Sequence, residues 1–216
     1  MNVLVIGANG QVGKEIIKQL QETNHQSTAL VRKKEQVEEL KSLGANNVIL
    51  GDLENDFSHA FDNIDAVIFA AGSGGSTGAD KTLLIDLWGA KKAVDYAKSA
   101  DVKHFIQLSA SDSLEVDEES EKMKPYAVAK NMSDYYLEKS ELRYTIVRPG
   151  PMNNNQALGK IELHPTRQDH FNDYLITRQD VAQVLVQTIG NEKLFNKSFY
   201  IKQGEQSIDR ALNTTF

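Results

Sequence analysis

Tyr126 and Lys130 stand four residues apart in Tyr126-Ala-Val-Ala-Lys130, a spacing that puts a phenol and an ammonium on one face of a helix. An ammonium beside a tyrosine favours the phenolate and draws the phenol below its reference pKa of about 10. Such a tyrosine can protonate a carbonyl oxygen or take the proton of an alcohol. The same stretch holds a second pair at the same spacing, Tyr135 and Lys139. The two pairs lie roughly 180° apart round a helix that turns about 100° per residue, so only one can serve a given site. Lys139 falls in the last turn, where a cation is expected on electrostatic grounds. Lys130 is mid-helix beside Ala127 and Ala129, small residues that let the helix approach a ligand, and Tyr126 with Lys130 is the pair to expect at a site.

Ser109, Ser111 and Ser113 follow the apolar run His104–Leu108. A serine at such an edge can hydrogen-bond a substrate carbonyl and share developing charge, although serine and aspartate also make plain turns. Spacing does not separate Ser109 from Ser111. No histidine is placed to activate a serine nucleophile, so hydrolase chemistry is not expected.

Gly7, Gly10 and Gly13 follow the apolar run Val3–Ile6 and precede a helical pattern of Val12, Ile16, Ile17 and Leu20. Strand, glycine turn and helix in that order aim free backbone N–H groups at a phosphate. Gly7 would allow the tight turn, Gly10 the approach of a pyrophosphate, and Gly13 close packing of helix on strand. The spacing is G-x-x-G-x-x-G rather than G-x-G-x-x-G, and three ordinary turn glycines are the plainer alternative. Arg32 ends the second strand, where NAD enzymes carry a ribose-binding carboxylate. No acid occupies residues 31–34. Arg32, supported by Lys33, could pair a 2′-phosphate, which favours NADP(H) over NAD(H) against the alternative of a solvated basic turn.

These residues need a scaffold, and the pattern supplies one. Buried strands are expected at Val3–Ile6, Thr28–Val31, Val48–Leu50, Ala66–Ala71, His104–Leu108 and Tyr144–Val147, with helices between them. The longest helix, from Ala79 to Ala100, is read with Leu83, Leu84, Leu87, Ala90, Val94 and Ala97 on one face. Another spans about Lys122 to Lys139. Alternation of this kind indicates an α/β fold, a doubly wound parallel sheet that binds ligands beyond the strands' carboxyl ends. Residues 1–148 form the core. Residues 149–216 read as a pocket-covering C-terminal continuation of the same single domain, with a polar stretch to about Asp173, a capping-box spacing at Thr177-Arg-Gln-Asp180 and a last strand near Phe199–Ile201. The acidic run Glu115–Glu121 reads as a solvated loop before a helix.

The chain has 216 residues, 40% hydrophobic and 25% charged, which fits one well-buried domain and excludes a disordered or fibrous class. A net charge of −6 without a basic cluster argues against a nucleic-acid partner. Cysteine is absent, which removes disulfide and thiolate chemistry. His25, His59, His104, His164 and His170 show no metal-ligand spacing, so no metal site is expected. Neither a signal peptide nor a membrane-spanning run is seen, and a cytoplasmic protein, monomer or homodimer, is expected.

Gly7–Gly13, Asp52, Ala70-Ala71-Gly72, the serine loop, Tyr126 with Lys130, and Arg148-Pro149-Gly150 occur in this order. In them the chain resembles the short-chain dehydrogenase/reductase superfamily over nearly its full length. The likeness is to its compact atypical branch of NAD(P)-binding proteins, related to the extended epimerase/dehydratase group. The resemblance implies that Gly7, Asn9, Gly10, Gln11, Val12 and Gly13 form the pyrophosphate loop and that Arg32 meets the 2′-phosphate. Asp52 and Leu53 would border the adenine, and Ala70, Ala71 and Gly72 would pass under the nicotinamide-side ribose. Tyr126 would give or take the proton, while Lys130 would bind ribose hydroxyls and lower the Tyr126 pKa. Ser109 or Ser111 would orient the substrate oxygen, and Pro149, Gly150 and Pro151 would flank the nicotinamide. The C-terminal stretch is short for the extended group, which argues against a sugar-nucleotide substrate. An NADP(H)-dependent oxidoreductase acting on a small carbonyl or alcohol is the leading expectation. A non-catalytic NADP(H)-binding redox sensor and a flavin or quinone reductase are the alternatives.

Overall fold

Strand β1 (Asn2–Ile6) sends Val3 and Val5 to one face of a sheet and Leu4 and Ile6 to the other, all four fully buried. A strand buried on both sides demands a layer of helices on each, and the sequence between strands provides them. The computed structural model describes residues 1–75, 77–168 and 175–216. His170 and the end of the polar stretch at Asp173 lie outside the described residues.

After β1 come α1 (Gln11–Leu20), β2 (Gln26–Val31), α2 (Val37–Ser42), β3 (Asn47–Leu50) and β4 (Ala66–Phe69). Next are α3 (Ala79–Lys81), a π-helical segment (Thr82–Gly89), α4 (Ala90–Ser99), β5 (His104–Leu108), α5 (Lys124–Glu138) and β6 (Tyr144–Pro149). The chain ends with β7 (Met152–Asn153), β8 (Lys160–His164), β9 (Ile176–Thr177), α6 (Arg178–Thr188), β10 (Lys197–Gln203), β11 (Gln206–Ser207) and α7 (Ile208–Thr214). Among the described residues the main sheet runs β11-β8-β10-β6-β5-β4-β1-β2-β3, and β7 pairs separately with β9. From β3 to β10 every neighbour is parallel, while β8 is antiparallel to both β10 and β11. This is a doubly wound α/β sheet in one domain, with strand order reversing between β1 and β4. At such a switch point the loops after the two strands diverge to opposite faces and leave a crevice.

The apolar residues of α1, α6 and α7 join Val3 and Val5 in one core; those of α4, with Leu137 of α5, join Leu4 and Ile6 in the other. Residues 149–216, expected to cover a pocket, extend the sheet and its helical layer, and those of them that are described do not line the cleft at the glycine turn. β10 extends the parallel sheet beside β6, and α6 packs on α1. Thr177 caps α6 by accepting the Asp180 N–H at 3.0 Å. The carboxylate of Asp180 turns instead to the backbone N–H groups of Leu158 and Gly159 and to the Thr177 hydroxyl, so the motif ties β8 to α6 rather than closing a reciprocal box.

The long helix departs from its expected face. Between Thr82 and Gly89 it follows the wider i→i+5 register, which advances less than 100° per residue and turns the apolar stripe. Ala90, Val94 and Ala97 are buried as expected, but Leu83 and Leu84 are exposed and Asp86 takes the buried position. No helix of the described residues is long and apolar enough to cross a membrane.

Candidate active site

The turn after β1 is shaped by backbone proximity. Gly7 has φ +88°, and a Cβ there would stand 2.6 Å from the backbone of Ala71. A Cβ on Gly13 would stand 2.7 Å from the Cα of Ala8. Neither position accepts a side chain, because the loop after β4 and the start of α1 close on the turn from both sides. Gly10 differs: its φ of −71° is ordinary, and the nearest atom to a Cβ is the Gly7 carbonyl oxygen at 3.2 Å. Gly10 is the N-cap of α1 with no side-chain cap, and the first turn holds no acid. The leading N–H groups of a ten-residue helix are therefore offered to an external anion. Beside them Asn9 buries an Oδ1 that has no hydrogen-bond partner, an acceptor waiting for a donor.

A cleft of about 470 Å³ opens here, lined by Gly7, Asn9, Gly10, Arg32, Asp52, Leu53, Ala71 and Gly72 among the expected residues. It is also lined by Gln36, Ser73, Thr77, Lys81 and Ile85, which the sequence reading did not single out. Gln36 Oε1 accepts from the backbone N–H of both Arg32 and Lys33, at 3.1 and 3.0 Å. It holds the basic turn in shape while the Arg32 side chain stays exposed. Asp52 Oδ1 accepts the Glu54 N–H at 3.0 Å, and Glu54 pairs with Lys81 at 2.7 Å on the rim. The free N–H donors and the exposed guanidinium suit the phosphates of a dinucleotide, and the orphaned Asn9 oxygen can accept from one of its hydroxyl groups.

The other expected residues do not line this cleft. Val12 and Gly13 are buried beneath the turn, and Ala70 packs on the core. Gln11 is exposed, and its Oε1 accepts from Asn154 at 3.0 Å, tying the C-terminal stretch to the loop. Ser109, Ser111, Tyr126, Lys130, Pro149, Gly150 and Pro151 belong to α5 and to the ends of β5 and β6. Pro149 ends β6, Gly150 donates to the Ile201 carbonyl, and the Pro151 carbonyl accepts from Ile176.

Tyr126 and Lys130 face inward on α5, whereas Tyr135 is exposed. The ammonium of Lys130 is buried and donates to the Leu108 carbonyl at 2.8 Å, 6.0 Å from the centre of the Tyr126 ring. The expected lowering of the Tyr126 pKa does not occur. Burial, then the carboxylates of Asp86, Asp112 and Asp134, push the phenol well above its ordinary range. Burial first, and then the neighbouring carboxylates, outweigh one ammonium turned toward a carbonyl.

Below the serine loop lies a polar network absent from the sequence reading. Asp134 Oδ2 accepts from Ser109 Oγ at 2.8 Å and pairs with Arg148 Nη2 at 3.0 Å. Ser113 bridges the same pair, accepting from Arg148 Nε at 3.2 Å. Asp134 Oδ1 accepts from Gln107 at 2.6 Å. Single aspartates on amphipathic helices are common, so nothing at position 134 signalled it; the readable hint was Arg148, directly after the expected strand Tyr144–Val147. Ser109 thus spends its one proton on Asp134. Ser111 is buried, with its N–H donating to the Pro149 carbonyl.

Comparisons place this geometry among known proteins. A family model described as NAD(P)H-binding matches residues 7–192. A Bacillus subtilis protein described as an uncharacterized sugar epimerase is 40% identical, over 98% of this chain and 99% of its own. A Bacillus halodurans structure, described as a candidate NAD-dependent epimerase/dehydratase, is 42% identical with a TM-score of 0.95 and 98% of each chain covered. The structure of an oxidoreductase from Lactococcus lactis is 30% identical with a TM-score of 0.84, covering all of this chain and 96% of that one.

Proposed function

This chain belongs to the NAD(P)H-binding family, and on that premise we propose that it is an NADP(H)-dependent oxidoreductase acting on a small carbonyl or alcohol. The observation that carries the reading is adjacency. β6, β5, β4 and β1 are consecutive in the sheet, so the serine loop after β5 and the glycine turn after β1 open on one carboxyl edge, with Tyr126 and Lys130 beside them.

When bound, the dinucleotide supplies a nicotinamide that gives or accepts hydride. The N–H groups at the start of α1, with Gly7, Gly10 and Asn9, would hold its pyrophosphate, and Arg32 would select the 2′-phosphate. Asp52 and Leu53 would border the adenine. Ala70, Ala71 and Gly72 would lie under the second ribose, and Pro149, Gly150 and Pro151 would flank the nicotinamide. Lys130 has two further hydrogens beyond the one given to Leu108, enough to bind ribose hydroxyls. Tyr126 is held protonated, which suits donation to a carbonyl oxygen and hence the reducing direction. Ser109 or Ser111 would orient the substrate oxygen; the Ser109 proton is given to Asp134, so Ser109 would meet the substrate through its oxygen.

The test is NADPH oxidation over a panel of aldehydes, ketones, quinones and flavins, by wild type and Tyr126→Phe. The reading expects carbonyl turnover that falls at least a hundredfold in the variant, with NADPH affinity kept. Undiminished turnover by Tyr126→Phe would overturn the role of the phenol and favour flavin or quinone reduction. A partner captured only with NADP(H), without turnover, would favour the sensor.

A further inference from the structure

The π segment delivers to this edge a carboxylate that the function above leaves unused. Asp86 is fully buried. Its Oδ2 accepts the Ser73 N–H at 2.9 Å, and its Oδ1 has no partner. Oδ1 lies 3.0 Å from where a Cβ on Gly72 would stand, and Gly72 and Ser73 both line the cleft. The orphaned oxygen is therefore aimed at the cleft wall, in the space a glycine leaves open. The same segment packs along α5, which carries Tyr126.

A second acceptor arrives from a different element. Asp112, in the loop after β5, also buries an Oδ1 without a partner, and both carboxylates act on the Tyr126 phenol. The third, Asp134, is neutralised by Arg148, and the Lys130 ammonium is turned to the Leu108 carbonyl. Asp112 shares a hydrogen bond with the Glu119 carboxyl, so among the described residues it is Asp86, held only by the Ser73 N–H, whose carboxylate stays unanswered beside the phenol. A buried charged acceptor left unsatisfied is unfavourable, and a ligand that brings a positive charge relieves it while an anion is repelled.

We propose that Asp86 is a specificity-determining residue that selects a carbonyl substrate bearing a positive charge, an ammonium or quaternary nitrogen, near the carbon that reacts. The inference rests on the oxidoreductase reading of the site.

Two probe pairs differ only in charge. Trimethylammonioacetaldehyde has the neutral carbon isostere 3,3-dimethylbutanal, and choline has the isostere 3,3-dimethylbutanol. Aldehyde reduction is followed with NADPH on the full chain, and alcohol binding by calorimetry without dinucleotide. The cation is expected to be favoured at least tenfold in both kcat/KM and Kd. Asp86→Asn keeps the size and can still accept the Ser73 N–H; it is expected to bring both ratios toward one. Equal values for cation and isostere in the wild type overturn the proposal, whether or not the variant folds. So do ratios that survive in folded Asp86→Asn, or a chain that acts on neither aldehyde and binds neither alcohol. NADPH binding without charge preference removes this inference alone, whereas failure to bind NADPH removes the function proposed above.

Discussion

Asp134 Oδ2 receives Arg148 through both Nε, at 3.1 Å, and Nη2, at 3.0 Å, with both side chains 2% exposed. The pair joins α5 to the end of β6, so one buried contact sets the helix that carries Tyr126 against the strand that leads to Pro149. Removing the carboxylate leaves the buried guanidinium with only the Glu138 carboxylate, 3.8 Å away, a loss of about 3 kcal/mol. Asp134→Ala is expected to lower the urea midpoint accordingly, and Asp134→Asn, which keeps an acceptor for Ser109 and Arg148, to lower it less. A midpoint unchanged in Asp134→Ala would show the pair to be dispensable.

The glycines of the first turn divide into two kinds. Gly7→Ala meets the Ala71 backbone in a left-handed conformation, and Gly13→Ala meets the Ala8 backbone. Both are expected to melt well below wild type. Gly10→Ala faces only the Gly7 carbonyl, so its stability should fall by about 1 kcal/mol or less. Its methyl group would still stand where the phosphates approach, raising the NADPH Kd at least tenfold. Calorimetric melts and titrations of the three variants separate packing from binding.

His104 makes stability depend on pH. Its Nδ1 accepts the Gly190 N–H at 3.2 Å, so its Nε2 carries the proton given to Thr145 Oγ1 at 2.9 Å. Protonating Nδ1 would break the first bond inside the core, and burial pushes the pKa down from 6.5 to about 4. Between those values the unfolded chain binds more protons than the folded one, so stability is full above pH 6.5 and falls as pH drops. At about 1.36 kcal/mol per unit the loss approaches roughly 3 kcal/mol. Urea unfolding from pH 7 to 4 is expected to show this slope in wild type and a shallower one in His104→Gln. Equal slopes would contradict it.

How far the sequence was readable follows from which forces are local. β1 to β6 and their helices were legible because most of these strands are buried on both faces and read as continuous apolar runs, and Gly7 announced its turn; β3, expected to be buried, is an edge strand with Leu50 exposed. β8 was not, since Lys160-Ile-Glu-Leu-His164 alternates weakly and pairs with strands far along the chain. The interior of the long helix departs from expectation because Leu83 and Leu84 fit a 3.6-residue period, while the π register, in a segment that packs against α5, buries Asp86. Tyr126 and Lys130 were singled out by spacing, yet the direction of the phenol's shift depends on its burial and then on Asp86, Asp112 and Asp134. Those three come together only in space.

The measurement that tests the account most directly is a fluorescence titration of the wild type with NADPH and NADH, repeated on Arg32→Ala. Saturable binding is predicted, with NADPH held at least tenfold more tightly and most of that margin lost without the guanidinium. No saturable binding of either dinucleotide would contradict the site, and an NADH affinity equal to that for NADPH would contradict the part given to Arg32.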